Sequence, residues 1–148
     1  MLKIRKAAKA DLDEIIAMCV AHAAYEGVEI NPIDFPKGDM SSLIFTKEQV
    51  ICLVAENEFG LIGYATCAEQ YSTWAASAYL YLDCLYVKQE ARVQGIGTAF
   101  MKSIQQIMKA KKLTHVQWQT PQSNHLAISF YLKLGAKEFL KSRFIWTP

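Results

Sequence analysis

Apolar residues recur along the chain with two spacings, every second position or every third to fourth, and their succession predicts the elements. Leu2 to Arg5 alternates apolar and basic residues and predicts a short strand. Asp11 then offers an N-cap, after which Leu12, Ile15, Ile16, Cys19, Val20 and Ala23 follow the i, i+3, i+4, i+7 spacing of a helix with one apolar face. Asn31-Pro32 and Pro36-Lys37-Gly38-Asp39 interrupt any regular element, so residues 26–38 read as a loop, with a second short helix over Asp39 to Phe45. Val50 to Glu56 and Leu61 to Tyr71 read as the two arms of a hairpin, and Gly63 in the returning arm marks a bulge or a close approach. Tyr79 to Val87, rich in aromatic and branched side chains, predicts the longest central strand.

Beyond it, Thr98 to Lys109 carries apolar Ala99, Met101, Ile104, Ile107 and Met108 at helical spacing. His115 to Gln119 predicts a strand in which Val116 and Trp118 alternate with polar residues. Asn124 to Leu134 predicts a helix stopped by Gly135, and Phe139 to Trp146 a last strand. The order β-α-(α)-β-β-β-α-β-α-β predicts an α/β (α+β) mixed sheet with helices on both faces. A strand-to-helix crossover in the second half requires a parallel pair, and a ligand is expected where such strands end.

Composition narrows this picture rather than changing it. The chain has 148 residues, 52% of them hydrophobic, enough for one packed core, so residues 1–148 read as a single three-layer domain. Its 16 basic and 14 acidic residues are scattered, giving a net charge of only +2, a balance that argues neither for nor against nucleic acid, and no nucleic-acid partner is expected. No apolar run is long enough to span a bilayer or to form an export signal, which predicts a cytoplasmic protein without a membrane partner. Cys19, Cys52, Cys67 and Cys84 are widely separated in apolar stretches, as suits buried free thiols, and no His, Cys or carboxylate spacing predicts a metal site.

Candidate chemistry begins at Arg92-Val93-Gln94-Gly95-Ile96-Gly97-Thr98, between the central strand and the next helix. Glycines there let the backbone approach an anion, and the first-turn N–H groups of the helix have no intrahelical partners. The same pair of glycines also suits a plain strand-to-helix turn. The segment lacks the third glycine of a dinucleotide fingerprint and the Gly-Lys-Ser/Thr ending of a Walker loop.

Arg92-x-x-Gly95-x-Gly97 followed by Asn124-x-x-Ala127-x-x-Phe130-Tyr131-x-x-x-Gly135-Ala136 resembles the GNAT superfamily of acyl-CoA N-acyltransferases, and the element order fits that family over essentially the whole chain. The resemblance implies an enzyme of that fold that transfers acetyl from acetyl-CoA to an amine. It implies that Arg92, Gln94, Gly95, Ile96, Gly97 and Thr98 hold the CoA pyrophosphate, that the main chain of Leu85 and Val87 holds the pantetheine arm, and that Asn124 bonds the cofactor. It implies Tyr131 as the acid for the departing thiolate; Asn124 and Tyr131, seven positions apart, share a helix face.

A protonated amine cannot attack a thioester, so the acceptor side requires a group that takes a proton and carboxylates that attract the cation. Asp83 interrupts an apolar strand and reads as a solvent-facing residue, a base acting directly or through water, or an amine anchor. Ala24-Tyr25-Glu26 and Tyr81-Leu82-Asp83-Cys84-Leu85-Tyr86-Val87 are similar to segments of the diamine/polyamine N-acetyltransferase branch, which has a Tyr-Leu-Glu-Asp strand. Here Asp83 stands for the glutamate and Cys84 for the aspartate, so one negative charge is lost and a long polyamine is a poorer fit. Glu26 remains an amine anchor or a solvated helix-end charge, while Tyr25 and Trp74 are possible walls of the acceptor site or surface aromatics. His22, His115 and His125 read as structural or surface residues. The acceptor expected is a small-molecule amine, with a peptide acceptor or a non-catalytic acyl-CoA sensor as rivals, and the family implies a homodimer in which Phe144, Ile145 and Trp146 could take part.

Overall fold

The computed structural model describes residues 1–148. Its sheet is built from β1 (Lys3–Lys6), β2 (Ile51–Asn57), β3 (Gly60–Ser72), β4 (Ser77–Val87) and β5 (Val116–Gln117), in that spatial order. All neighbours are antiparallel except β4 and β5, which are parallel, so the crossover required by the sequence is present. Helix α1 (Leu12–Tyr25) packs on one face and α3 (Ile96–Ala110) on the other; α2 (Lys37–Ser41) and α4 (His125–Lys133) complete the fold.

Alternation of side chains across the sheet separates two cores. Ile15 and Met18 of α1 meet Cys52, Val54, Leu61 and Tyr64, while Phe100 and Ile104 of α3 meet Leu53, Ala55, Ala65, Cys67, Leu80 and Leu82. Two bulges disturb this alternation. Opposite Ala55 and Glu56, Ile62 is the extra residue of β3, beside Gly63. A Cβ on Gly63 would lie 2.7 Å from the Tyr86 carbonyl oxygen, so this glycine serves both the bulge and a close approach.

The second bulge bears on the site. Thr66 faces Cys84 and Cys67 faces Leu82, which leaves Asp83 as the unpaired extra residue of β4. Before it, Leu80 and Leu82 point toward α3; after it, Leu85 and Val87 do so, and Cys84 and Tyr86 turn toward α1. Pairing of β4 with β5 stops at Tyr81, just before the bulge. From there β4 diverges from β5, and that side of its backbone is open.

Several sequence expectations need correction. Phe139 to Trp146 forms no strand; the segment pairs with no other strand, is irregular, and its large apolar side chains are exposed. Strand β5 has two residues rather than the five expected. The second helix starts earlier, at Lys37, and relaxes into a wide turn over Ser42–Thr46, and the loop before it holds a single turn at Pro32–Asp34. Asp11 does not cap α1: its carboxylate accepts from the Ala8 amide at 2.7 Å and from Arg5 Nη1 at 2.6 Å, closing a preceding turn instead.

Candidate active site

Where β4 opens, its ladder with β3 decides which backbone groups are free. Lys88 N donates to Ile62 O at 2.9 Å. Antiparallel bonding alternates by residue, so Tyr86 bonds toward β3, whereas the N–H and C=O of Leu85 and Val87 point into the gap. The Val87 carbonyl accordingly accepts from Arg92 Nε at 2.9 Å and not from β3.

The loop that follows turns left-handed at two positions, Val93 at φ 61°, where a branched side chain makes it strained, and Gly95 at φ 78°, where glycine adopts it freely. Val93 is fully exposed, so no packing explains its left-handed backbone. Gly95 forms the N-terminal boundary of α3, and Ala99 N donates to its carbonyl at 3.0 Å. The amides of Ile96, Gly97 and Thr98 therefore lack intrahelical partners and point out of the helix start. A Cβ at Gly97 would stand 3.0 Å from the Phe130 ring, so this second glycine admits α4 against α3. Gln94 Nε2 reaches Glu90 O at 3.4 Å.

On α4, the Asn124 side-chain oxygen accepts from Ala127 N at 3.2 Å and caps the helix, leaving its NH2 group free. Tyr131 lies between Phe130 and Trp118, with ring centroids 5.2 and 4.9 Å away. Burial pushes its phenol up to about 12, and the charge of Glu26 adds to the shift, which places the end of α1 across from α4. The hydroxyl stays protonated at neutral pH and is available as a proton donor.

The end of α1 supplies the remaining groups. The Arg92 guanidinium lies over the Tyr25 ring at 4.6 Å and over Tyr86 at 5.7 Å, beside the end of α1. His22, read from sequence as structural or surface, lies among these groups. Its Nδ1 is 2.9 Å from the Tyr64 hydroxyl, its ring stacks on Tyr86 at 5.3 Å, and its Nε2 is 3.6 Å from Glu26. Burial holds its imidazole below the ordinary 6.5, against the pull of Glu26 and Asp83 and with the help of Arg92. The one available signal was the i, i+4 spacing of His22 and Glu26 on the helix that also carries Tyr25.

Asp83 is exposed at the bulge, and its charge reaches His22, Tyr81 and Cys84. Cys84, its neighbour, donates to Asp83 Oδ2 at 3.7 Å, and burial pushes the thiol up to about 11, so it is no nucleophile at neutral pH. Trp74 is not brought to this cluster. It sits in the β3–β4 turn, 98% exposed, and the strand from Ser77 to Asp83 alone spans roughly 20 Å. His115 stacks on Tyr79 at 4.8 Å, and His125 is exposed at the start of α4.

The chain is similar to several known proteins. The family model described as "Acetyltransferase (GNAT) family" matches residues 24–136. The thialysine N-epsilon-acetyltransferase of Sus scrofa is 27% identical over 148 residues, covering 94% of this chain and 86% of that protein. A possible acetyltransferase from Clostridium difficile 630 has the same fold with a TM-score of 0.84 at 20% identity, covering 100% of this chain and 98% of the other. An aminoglycoside acetyltransferase from an uncultured soil metagenomic sample, solved with sisomicin, has a TM-score of 0.82 at 21% identity, covering 99% and 96%. With residues 24–136 matched, a span that holds the open strand, the Arg92–Thr98 loop and the Asn124–Ala136 motif, this chain belongs to the GNAT family and is an acetyltransferase.

Proposed function

We propose that the protein transfers acetyl from acetyl-CoA directly to the primary amine of a small molecule that also carries a carboxylate, an amino-acid-like acceptor rather than a long polyamine. The observation that carries this reading is the mixed charge at the end of α1: the Arg92 guanidinium lies against Tyr25 beside Glu26, and the fields of Asp83, Glu26 and Arg92 all reach His22. Two acids suit an ammonium group and the arginine suits a carboxylate. A polyamine would meet the arginine's charge and miss the acid that Cys84 replaces. The thialysine acetyltransferase relative is named for an acceptor of the amino-acid kind, which supports the choice.

The residues present also fit acetyl-CoA. The free amides of Ile96, Gly97 and Thr98, with Gly95 turning the chain ahead of them, suit a pyrophosphate, and the Leu85 backbone with the Val87 N–H, open on the β5 side of β4, suits the amides of an extended arm. Since the Arg92 side chain is engaged by Val87 and Tyr25, the anion falls to backbone donors, with the amide groups of Gln94 and Asn124 nearby in sequence to each helix start. Acetyl-CoA would supply the acetyl group as a thioester; Tyr131 would protonate the departing sulfur, Glu26 and Asp83 would attract the amine, and Tyr25 would form a wall of its site.

The four cysteines, all free, suit a reducing cytoplasm, and no helix is long and apolar enough to cross a membrane. The exposed Phe144, Ile145 and Trp146 support a homodimer, since a second copy would cover them; sedimentation should give a dimer, and Phe144→Asp with Trp146→Asp a monomer. The acceptor is tested by following thiol release from acetyl-CoA with thialysine, lysine, spermidine, an aminoglycoside and a lysine-containing peptide. Thialysine or lysine should give the highest kcat/KM. Preference for spermidine or the peptide, or acetyl-CoA binding without turnover on any amine, would overturn the proposal.

A further inference from the structure

The geometry points to His22 as a catalytic residue: we infer that the acceptor's ammonium group binds between His22 Nε2 and the Glu26 carboxylate and gives its proton to that nitrogen. The inference rests on the reading of the protein as an amine acetyltransferase and concerns how the amine becomes a nucleophile.

The Tyr64 hydroxyl has three partners within reach, His22 Nδ1 at 2.9 Å and the thiols of Cys19 and Cys84. Burial keeps this phenol protonated. When its proton goes to the Cys84 sulfur, its oxygen accepts from His22 Nδ1–H, and that tautomer leaves a lone pair on Nε2. Nε2 then faces Glu26 Oε1 at 3.6 Å, too far for a hydrogen bond, and both atoms are acceptors. Two acceptors at that separation are satisfied by one donor that offers a hydrogen to each, and an ammonium group does so while its charge is balanced by Glu26. The ring cannot swing away, because it is stacked on Tyr86 at 5.3 Å and edge-on to Tyr64 at 6.0 Å. Only 15% of the side chain is exposed.

The charged and titratable groups around the ring agree with this role. Glu26 on the same helix and Asp83 on β4 stabilise an imidazolium once it forms, whereas Arg92 and burial keep the resting ring neutral. Tyr64 on the sheet and Cys19 on α1, both pushed up by burial, remain uncharged at neutral pH, and Tyr86 presents only its ring face to the imidazole. In the step itself the N–H bond of the ammonium breaks and His22 Nε2 takes the proton. The freed nitrogen pair bonds to the acetyl carbon, the carbon–sulfur bond breaks, and the sulfur takes the proton of Tyr131. The second N–H proton of the acetylated nitrogen goes to the Tyr131 oxygen and His22 releases its proton to solvent, leaving a neutral amide, the free thiol and both residues as they began. Asp83 then acts on the ring's charge, a positioning role rather than that of the base.

Two substitutions separate a base from a spacer. His22→Asn places an amide near the position of Nδ1, keeping the partner of Tyr64 but lacking Nε2; His22→Gln places an amide near Nε2 that cannot accept the proton. Both should fold and bind acetyl-CoA as the parent does while kcat/KM for the best acceptor falls about a hundredfold. The parent should lose kcat/KM on the acid side as His22 protonates below 6.5, and that limb should vanish in both variants. A rate preserved in His22→Asn, or an acid limb that persists in it, would overturn the inference. A second readout does not need turnover: in an NMR titration of the parent with n-butylamine at neutral pH, the His22 imidazole nitrogens should shift and saturate, and Glu26→Gln should weaken the effect. Imidazole signals indifferent to the amine would also overturn the inference, whereas an amine-dependent shift without acetylation of any acceptor would count only against the proposed function.

Discussion

At the scale of single residues, Tyr131 and Gly97 make separable contributions. The Tyr131 phenol, pushed up to about 12 by burial, holds its proton throughout the working range, so the rate should show no basic limb from this group at ordinary assay pH. Tyr131→Phe keeps the ring between Phe130 and Trp118 and removes only the oxygen. It should lower kcat by about 10²-fold with the acetyl-CoA Kd little changed, as stopped-flow and titration would show. An unchanged kcat would remove Tyr131 from the chemistry. Gly97→Ala acts through packing: its Cβ would stand 3.0 Å from the Phe130 ring, and α4 would have to move. The expected cost is about 1–3 kcal/mol of stability in a denaturant melt, with a raised KM for acetyl-CoA because Tyr131 moves with α4. Phe130→Leu in the same chain should restore much of both; failure to do so would mean that the glycine serves the anion more than the helix contact.

At the scale of elements, the Asp83 bulge has the widest consequences, and a deletion tests it. Leu80 and Leu82 face α3 before the bulge, Leu85 and Val87 after it, so removing Asp83 leaves an ordinary alternation with every side chain on its present face. The deletion should therefore fold with near-parental thermal stability. Without the bulge, however, nothing ends β4–β5 pairing at Tyr81, and the ladder can extend toward Leu85 and close the gap that exposes the Leu85 and Val87 backbone. Calorimetry should then show loss of acetyl-CoA binding in a folded protein; retained binding would mean that divergence of the strands has another cause. The bulge was visible in the sequence only as an unexplained acid in an apolar strand, because the change of apolar parity from 80 and 82 to 85 and 87 passes for a continuous hydrophobic run. Element types were otherwise legible wherever a local period was backed by a neighbour: α1, α3, α4 and the three long strands fall where the pattern puts them. Phe139 to Trp146 has strand-like composition without a partner, and composition cannot supply the ladder. The loop and Tyr131 were legible through motif spacing, whereas His22 owes its place to contacts with β3 and β4 that lie 42 or more positions along the chain.

For the whole molecule, the carboxyls and the imidazole drawn below their ordinary range favour the folded state at neutral rather than acid pH. Arg5 bonds both Asp11 and Glu56, tying β1 to the start of α1 and to β2, and holds both carboxyls below their ordinary values of 3.8 and 4.5. Such groups contribute stability that is fully present above the unfolded values and is lost as pH falls through the folded ones. His22 acts in the same direction by the opposite chemistry. Its folded pKa lies below 6.5, so between the two values the unfolded chain binds more protons, and stability rises with pH until the imidazole is neutral in both states. Urea midpoints measured from about pH 3 to pH 8 should therefore climb in two stages, a lower one from the carboxylates and an upper one ending near 6.5, with a plateau above. Asp11→Asn should flatten the lower stage and His22→Asn the upper. The upper stage falls in the range where His22 must be neutral to accept a proton from the amine, so acid should reduce activity and stability through the same imidazole; a His22→Asn protein whose upper stage persisted would show that the stability change arises elsewhere.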